Sequence, residues 1–332
     1  MGAVSLAALG STTAAAAGAV PQAAGGGARA ASPWAARMGL ELYTVRDQIP
    51  LDQVGTLTKV AAIGYKEVEP SVTIDNLPAK QYRALLDRVG LIAPTSHMSV
   101  SPGPDLEKQL EDCQIMGNHY VSAAPARPAA SGRGGARGGA RGPAGRRGGA
   151  RGASQRPAPT PDSFKKTVEM YNQVGAVAQK YGVQVLVHNH AMEFERFPGS
   201  DQVPYDIILA ESDPKLVVME LDIGWASVAG QDIVALFQKH PGRFVLWHVK
   251  DFMDLQYLFP QPEMTESQRM QAAGKWMVPV GLGGIDWKTI FAHAELAGMK
   301  HFNIEQDNAA SWGDSVAAAG VSYRGLLREL TA

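Results

Sequence analysis

The sequence predicts an α/β chain built as a closed (β/α)8 barrel, and three observations carry that expectation. From Met38 onward, eight short apolar runs alternate with eight helical stretches. Such alternation makes a parallel sheet, and eight units are enough to close it. Five of the helical stretches end in glycine just before the next run, at Gly64, Gly90, Gly117, Gly182 and Gly298, the residue that best ends a helix in a left-handed turn. The length from 38 to 332, less one low-complexity insert, is that of one such barrel. A doubly wound open sheet is the alternative, but no G-x-G-x-x-G follows the first run, which weakens a dinucleotide-binding version.

In order, the expected strands are 40–45, 66–69, 92–97, 119–123, 184–190, 217–223, 244–250 and 301–306. Each is a short apolar run bounded by turn residues. The helices between them fall at 52–63, 78–90, 105–117, 162–181, 204–212, 231–240, 286–298 and 314–330. Asp105, Pro161 with Asp162, and Asp286 mark starts, since a short acceptor or a proline suits the first turn.

Two segments stand outside this pattern. Residues 1–37 are rich in alanine and glycine and resemble the back half of a twin-arginine export signal, with a disordered tail as the alternative. The first reading places the protein in the periplasm or outside the cell, the second in the cytoplasm. The apolar run there is too short to span a bilayer. Residues 126–160 are built from Gly, Arg, Ala and Pro and cannot bury a core, so a disordered loop is expected. That insert follows the fourth strand and so enlarges a loop on the barrel's C-terminal, catalytic face.

Charge sharpens the division. The whole chain has 31 basic and 32 acidic side chains, a net −1. Residues 1–37 and 126–161 hold ten arginines and no acid, and setting them aside leaves 21 basic against 32 acidic residues, a net −11. An acidic body repels a phosphate backbone, and the insert lacks the aromatic residues that stack on bases. Nucleic acid is therefore not expected as a partner. Hydrophobic content of 45% excludes disorder for most of the chain. The single cysteine, Cys113, permits neither an internal disulfide nor a Cys-based zinc site.

Chemistry-bearing residues gather at the ends of the last four strands: His188-Asn189-His190 with Glu193 beyond, Glu220-Leu221-Asp222, His248-Val249-Lys250-Asp251, and Glu305-Gln306-Asp307. An apolar strand has no structural need of such residues, and four strands ending this way bring them around one point. Two carboxylates, a histidine and a further Glu or His suit a divalent ion such as Mn2+, Mg2+ or Zn2+. Glu220 and Asp222 share one side of their strand; Asp222 lies nearer the strand's end and is the expected ligand, with Glu220 second. Asp251 and Asp307 read equally well as caps or loop residues.

The segments HNHAMEF, ELDIGWASVAG, LWHVKD, VGLGGIDW and NIEQD, with LYTVRDQI and GYKEVE earlier, resemble the sugar phosphate isomerase/epimerase family, the xylose isomerase-like TIM barrels. The resemblance spans nearly all of 38–332 except the insert. It implies a divalent metal held by Glu193, Asp222, His248 and Glu305, with His190 replacing or accompanying Glu193. Where relatives often read VGEG, this chain has Val280-Gly281-Leu282-Gly283 and lacks that polar group.

The resemblance implies proton removal beside a carbonyl through an ene-diolate, with the metal as Lewis acid. Glu305 is the expected acid/base and Glu193 or His190 its counterpart on the opposite side of the substrate. Lys250 shares His248's side of the strand and is placed to steady developing negative charge; its structural alternative is an ion pair with Asp222 or Asp251. His97, Glu69, His188 and His190 are candidate sugar contacts, with Tyr43 and Trp225 as apolar walls. The expected activity is that of a sugar isomerase or epimerase. A lyase or hydrolase of 3-keto-glycosides is the first alternative, and a nuclease like the apurinic-site endonucleases, which use the same barrel, the second. A neutral sugar or keto-sugar is preferred over a sugar phosphate because no glycine-rich phosphate cradle is present. A homo-oligomer is compatible with the sequence.

Overall fold

A computed structural model describes residues 32–71, 77–125, 160–253 and 266–331. The expected insert (126–160) falls outside these residues except for Thr160, and so does most of the expected N-terminal tail.

Eight parallel strands form the barrel wall: β1 (Gly39–Glu41), β2 (Glu67–Glu69), β3 (Thr95–Val100), β4 (Tyr120–Ala123), β5 (Gln184–His188), β6 (Val217–Asp222), β7 (Leu246–Val249) and β10 (His301–Ile304). They pair in the order β2-β1-β10-β7-β6-β5-β4-β3. Lone parallel bridges from Glu67 to Ile92 and from Ser71 to His97 bring the two edges together, so the ring is nearly closed. A two-stranded antiparallel ribbon, β8 (Asp251–Phe252) and β9 (Met277–Val278), rises from the end of β7.

The helices are α1 (Gln53–Ile63), α2 (Ala79–Val89), α3 (Leu106–Met116), α4 (Pro161–Ala178), α5 (Pro204–Glu211), α6 (Ile223–Val228), α7 (Ile233–Lys239), α8 (Glu266–Trp276), α9 (Trp287–Ala292), α10 (Ala294–Ala297) and α11 (Ser315–Thr331). Their apolar faces meet the outward side chains of the strands, as where Trp247 of β7 stacks on Phe237 of α7 at 5.1 Å. Among the described residues no helix is long and apolar enough to cross a membrane.

Several elements differ from expectation for identifiable reasons. The third strand begins at Thr95 rather than 92, because Pro94 has no N–H for a ladder. The first stops at Glu41, whose side chain caps the turn Leu42–Val45. The helices α6 and α8 and the ribbon are additions. Residues 32–37, expected outside the fold, are attached to it: Ser32 N–H donates to Leu330 O at 3.3 Å, and Arg37 pairs with Glu67 at 3.7 Å.

Candidate functional site

The C-terminal ends of β6, β7 and β10 converge. Asp222 sits level with His248 across β6 and β7, and His248 level with Asn303 across β7 and β10, so Glu305 follows at the rim. Local structure fixes Asp222: its Oδ1 accepts from Trp225 N at 2.7 Å and caps α6. Asn189 clamps the same residue, accepting from Asp222 N at 3.0 Å and donating to Asp222 O at 3.3 Å. The other oxygen, Oδ2, lies 3.0 Å from Lys250 Nζ. Lys250 also stands 2.9 Å from Glu305 Oε2 and 3.3 Å from Asp307 Oδ1, so one ammonium serves three carboxylates. Gly224 makes this possible, because a Cβ there would stand 2.6 Å from Lys250 Cβ.

A second layer lies deeper. His248 Nε2 donates to Glu69 Oε2 at 2.6 Å, and His97 Nε2 to Glu220 Oε2 at 2.5 Å. Asn303 donates to Glu69 Oε2 at 3.2 Å and to Thr95 Oγ1 at 3.0 Å. His248 joins the layers: its Nδ1 is 2.7 Å from Glu305 Oε2, close enough for ion pairing though out of line for a hydrogen bond. His188 stands between, with Nδ1 3.4 Å from Glu220 Oε2 and Nε2 3.8 Å from Asp222 Oδ2.

Burial and charge set the protonation. Burial alone would raise Glu69, but His97 and His248 beside it hold the carboxyl at about 2. Glu305 is likewise pushed up by burial and pulled further down by Lys250 and His248, so it is ionised. Burial would neutralise His248 and His97, yet the carboxylates of Glu69 and Glu220 raise both, and Glu305 adds to the effect on His248. His188 and His190 go the other way. Burial and the neighbouring cations hold His188 well below the ordinary imidazole value and His190 at about 4, so both are neutral. Burial also lifts Asp307 to about 7, with Glu305 adding to the rise and Lys250 opposing it.

A cavity of about 320 Å³ opens over these groups, lined by Lys250, Glu305 and Asp307 and by His97, His188 and His190. Glu41, Tyr43 and Ser71 complete the wall. The donors fit a divalent ion. Asp222, His248 and Glu305 each offer an atom within 4.8 Å of the others, as do His97, His188, Glu220 and His248. Glu69 Oε1 and Glu220 Oε1 are buried without a hydrogen-bond partner, and carboxylates with imidazoles suit a hard or borderline cation.

Of the residues singled out in the sequence, Asp222, His248, Glu305 and Lys250 come together, with His97, Glu69, His188, His190 and Glu220 around them. Glu193 does not join them. Its carboxylate turns back to accept from His190 N at 2.7 Å, and its charge acts on Tyr171 of α4 and Tyr205 of α5. The chain leaves β5 at His188 and enters a helical turn, Met192–Phe194, which carries this side chain toward the helix layer. Trp225 is 2% exposed and packs behind the mouth, 5.7 Å from Lys250 Nζ and 5.2 Å from Phe252, so it lies behind the cavity wall. Among the described residues Asp251 pairs with no lysine. It accepts from Gly281 N at 2.9 Å, Gly283 N at 3.1 Å and Trp287 Nε1 at 3.2 Å, and so shapes the loop Val280-Gly281-Leu282-Gly283. Glu41 was missed, with a lone Glu in the apolar run GLELY as the available signal, and Asn189 was named with its strand but given no role.

The model of the xylose isomerase-like TIM barrel matches residues 57–320. An inosose dehydratase from Geobacillus thermodenitrificans is 26% identical over 159 residues, 47% of this chain and 51% of that protein, so the chain spans about half the length of the relative it matches. A sugar phosphate isomerase/epimerase from Parabacteroides distasonis has the same fold, with a TM-score of 0.60, 19% identity, and coverage of 90% of this chain and 95% of that one. The IOLI protein, solved with a bound zinc atom, superposes with a TM-score of 0.58 at 15% identity over 89% of this chain and 98% of that one.

Proposed function

The chain belongs to the xylose isomerase-like TIM barrel family, and from that premise we propose that it is a metal-dependent enzyme that removes the proton beside the carbonyl of a neutral keto-sugar or keto-polyol. The observation that carries this is the convergence of Asp222, His248 and Glu305 with Lys250 at one cavity. Asp222, His248 and Glu305 are the proposed ligands, with the neutral His188 beside them. The zinc bound to the similarly folded IOLI protein supports a metal-dependent reading. A divalent ion there would polarise the substrate carbonyl as a Lewis acid.

The protein's own groups do the rest. Glu305, ionised and in the cavity wall, takes the proton from carbon. The Lys250 ammonium faces the oxygen on which negative charge develops. His97 and His190, which also face the cavity, hold hydroxyl groups. A phosphate is disfavoured as part of the substrate: among the described residues Lys250 is the one lysine or arginine lining this cavity, it is already tied to three carboxylates, and Glu41, Glu305 and Asp307 stand alongside.

The outcome favoured is elimination of the oxygen next along the carbon chain, giving water or, from a 3-keto-glycoside, an alcohol. Epimerisation by two groups needs a second base opposite Glu305. Glu193 is turned back to His190 N and does not line the cavity, so it does not supply that base. The similarity to inosose dehydratases supports the same outcome. Isomerisation is the second reading, supported by the place of His190 in the cavity wall, from which it can relay a proton.

The test is incubation of the purified chain with Mn2+, Mg2+ or Zn2+ and a panel of neutral ketoses, inososes and 3-keto-glycosides in D2O. Deuterium at the carbon beside the carbonyl is expected, with an enone absorbance where elimination follows. Glu305→Gln should lower kcat about 10²- to 10⁴-fold. If no panel member shows exchange at carbon, the reading fails.

A further inference from the structure

We infer that Arg46 is a positioning residue of this site: it holds the Tyr43 ring as a flat wall against which the C–H face of a cyclic substrate packs. The inference rests on the proton-abstraction reading above and narrows its substrate to a closed ring. Tyr43 and Asp307 line the cavity, and Arg46 does not. Its guanidinium joins the two from outside. One terminal nitrogen donates to Tyr43 O at 2.7 Å and the other to Asp307 O at 2.7 Å. The central carbon lies 3.9 Å from the centroid of the Tyr43 ring. An approach in the plane of the ring would meet its C–H edge before that distance, so the guanidinium lies over one face, the stacked arrangement that arginine favours.

The segments it joins are the turn Leu42–Val45 after β1 and the stretch that follows β10. They are tied a second time where Gln306 N donates to Thr44 Oγ1 at 3.0 Å, so the backbone frame keeps a link without Arg46. The backbone of Tyr43 is held as well, because its N–H donates to Glu41 Oε1 at 3.2 Å. What depends on Arg46 is the ring. A tyrosine side chain turns about two bonds, and a planar group fixed over one face restricts both and leaves the other face to the cavity.

Among the described residues that line the cavity, Tyr43 carries the one six-membered aromatic ring; the other eight carry a carboxyl, imidazole, hydroxyl or ammonium group. The face of such a ring is electron-rich and attracts the slightly positive hydrogens of C–H bonds. A six-membered sugar or cyclitol ring carries C–H bonds side by side on a face and hydroxyls around its edge. Laid on Tyr43, it leaves those hydroxyls for the polar groups of the wall. An open-chain ketose alternates hydroxyl and hydrogen along its length and offers no such face. The site therefore selects inososes and 3-keto-glycosides over open-chain ketoses.

The experiment compares kcat/KM across the panel of neutral ketoses, inososes and 3-keto-glycosides, read by deuterium exchange in the metal-loaded protein. A cyclic member should lead every open-chain ketose by about tenfold or more. With that member, Arg46→Lys, which keeps the charge but not the planar fork, should raise KM about tenfold while kcat falls less than about threefold. Tyr43→Ala should raise KM at least as much. Adding Arg46→Lys to it should cost less than about twofold more, because Arg46 acts through a ring that is no longer there. An unchanged KM in Arg46→Lys, whatever its Tm, would reduce the residue to a strut of the fold and overturn the positioning role. Independent, multiplying effects of the two substitutions would overturn it too. If the variants do not fold, the order of substrates in the unaltered protein decides: an open-chain ketose that matches or leads the cyclic members overturns the inference and leaves proton abstraction standing. Absence of exchange with every member would instead overturn the proton-abstraction reading, and this inference with it.

Discussion

At the rim of the barrel, Asp222, Glu305 and Asp307 share one lysine; deeper in the ring, Glu69 and Glu220 are each matched to an imidazole. Both regions bury carboxylates, yet the compensation differs in kind. A lysine on a long flexible stem supplies a point charge that another cation can replace. The His–Glu pairs are short and directional, and Asn303 and Thr95 brace them from behind. The comparison assigns exchange of cations to the rim and fixing of geometry to the deeper layer. It also explains why His248, which touches both, is the residue through which they communicate.

The largest test of this division removes the lysine. Lys250→Met leaves three carboxylates at the rim with His248 alone, and stranding buried charge in this way costs about 3–5 kcal/mol. Denaturant unfolding of the metal-free protein should show a loss of that size. Added divalent ion should recover more stability in the variant than in the parent, because the ion then supplies the missing charge. A variant that melts with the parent would mean that the rim does not depend on Lys250.

Both layers should answer to pH, each through its own groups. Glu69 is held at about 2, below its ordinary value, so its contribution is present above about 4.5 and disappears as pH falls toward 2. His97 and His248 are raised, so theirs is complete below the ordinary imidazole value of 6.5 and is lost as pH climbs through their raised values. Asp307, a carboxyl lifted to about 7, works against folding as pH rises from 3.8 toward 7. Urea unfolding from pH 3 to 9 should therefore show an acid limb below about 4.5, and Glu69→Gln should shorten it, leaving the part that Glu305, also held low, supplies. An acid limb unchanged by Glu69→Gln would mean that Glu69 does not contribute to it.

Much of this architecture was legible in the sequence. Gly90 and Gly117 end their helices at φ 76° and 85°, in the left-handed region where glycine is favoured, as the reading from apolar runs and stops required. What escaped it were elements without such punctuation. α6 starts on the very residue that ends β6, because Asp222 is at once strand terminus and helix cap, and no turn residue separates them. In the site, residue types at the ends of β6, β7 and β10 were enough to find Asp222, His248, Lys250 and Glu305. Glu41 was hidden because 40–45 reads as one extended strand, whereas the chain turns at Leu42 and makes Glu41 a strand end. Glu193 entered as a ligand through the resemblance, on an expected strand running to His190 with Glu193 just beyond, whereas β5 stops at His188.

The smallest expected effect comes from that misplaced residue, and it is the sharpest check on where the rim ends. Glu193 accepts from His190 N at 2.7 Å, and its charge falls on the rings of Tyr171 and Tyr205 in the helix layer. Glu193→Gln keeps an acceptor for that N–H, so the loss of stability should be about 1 kcal/mol or less. Metal content should not change, and kcat should stay within about threefold of the parent, since no proton passes through a group outside the cavity. His190→Ala, by contrast, removes a ring that faces the cavity and should raise KM. Were Glu193→Gln instead to lose its ion or about 100-fold in kcat, the turn Met192–Phe194 would have to swing inward in the working enzyme. The ligand set implied by the sequence resemblance would then displace the one drawn from the rim.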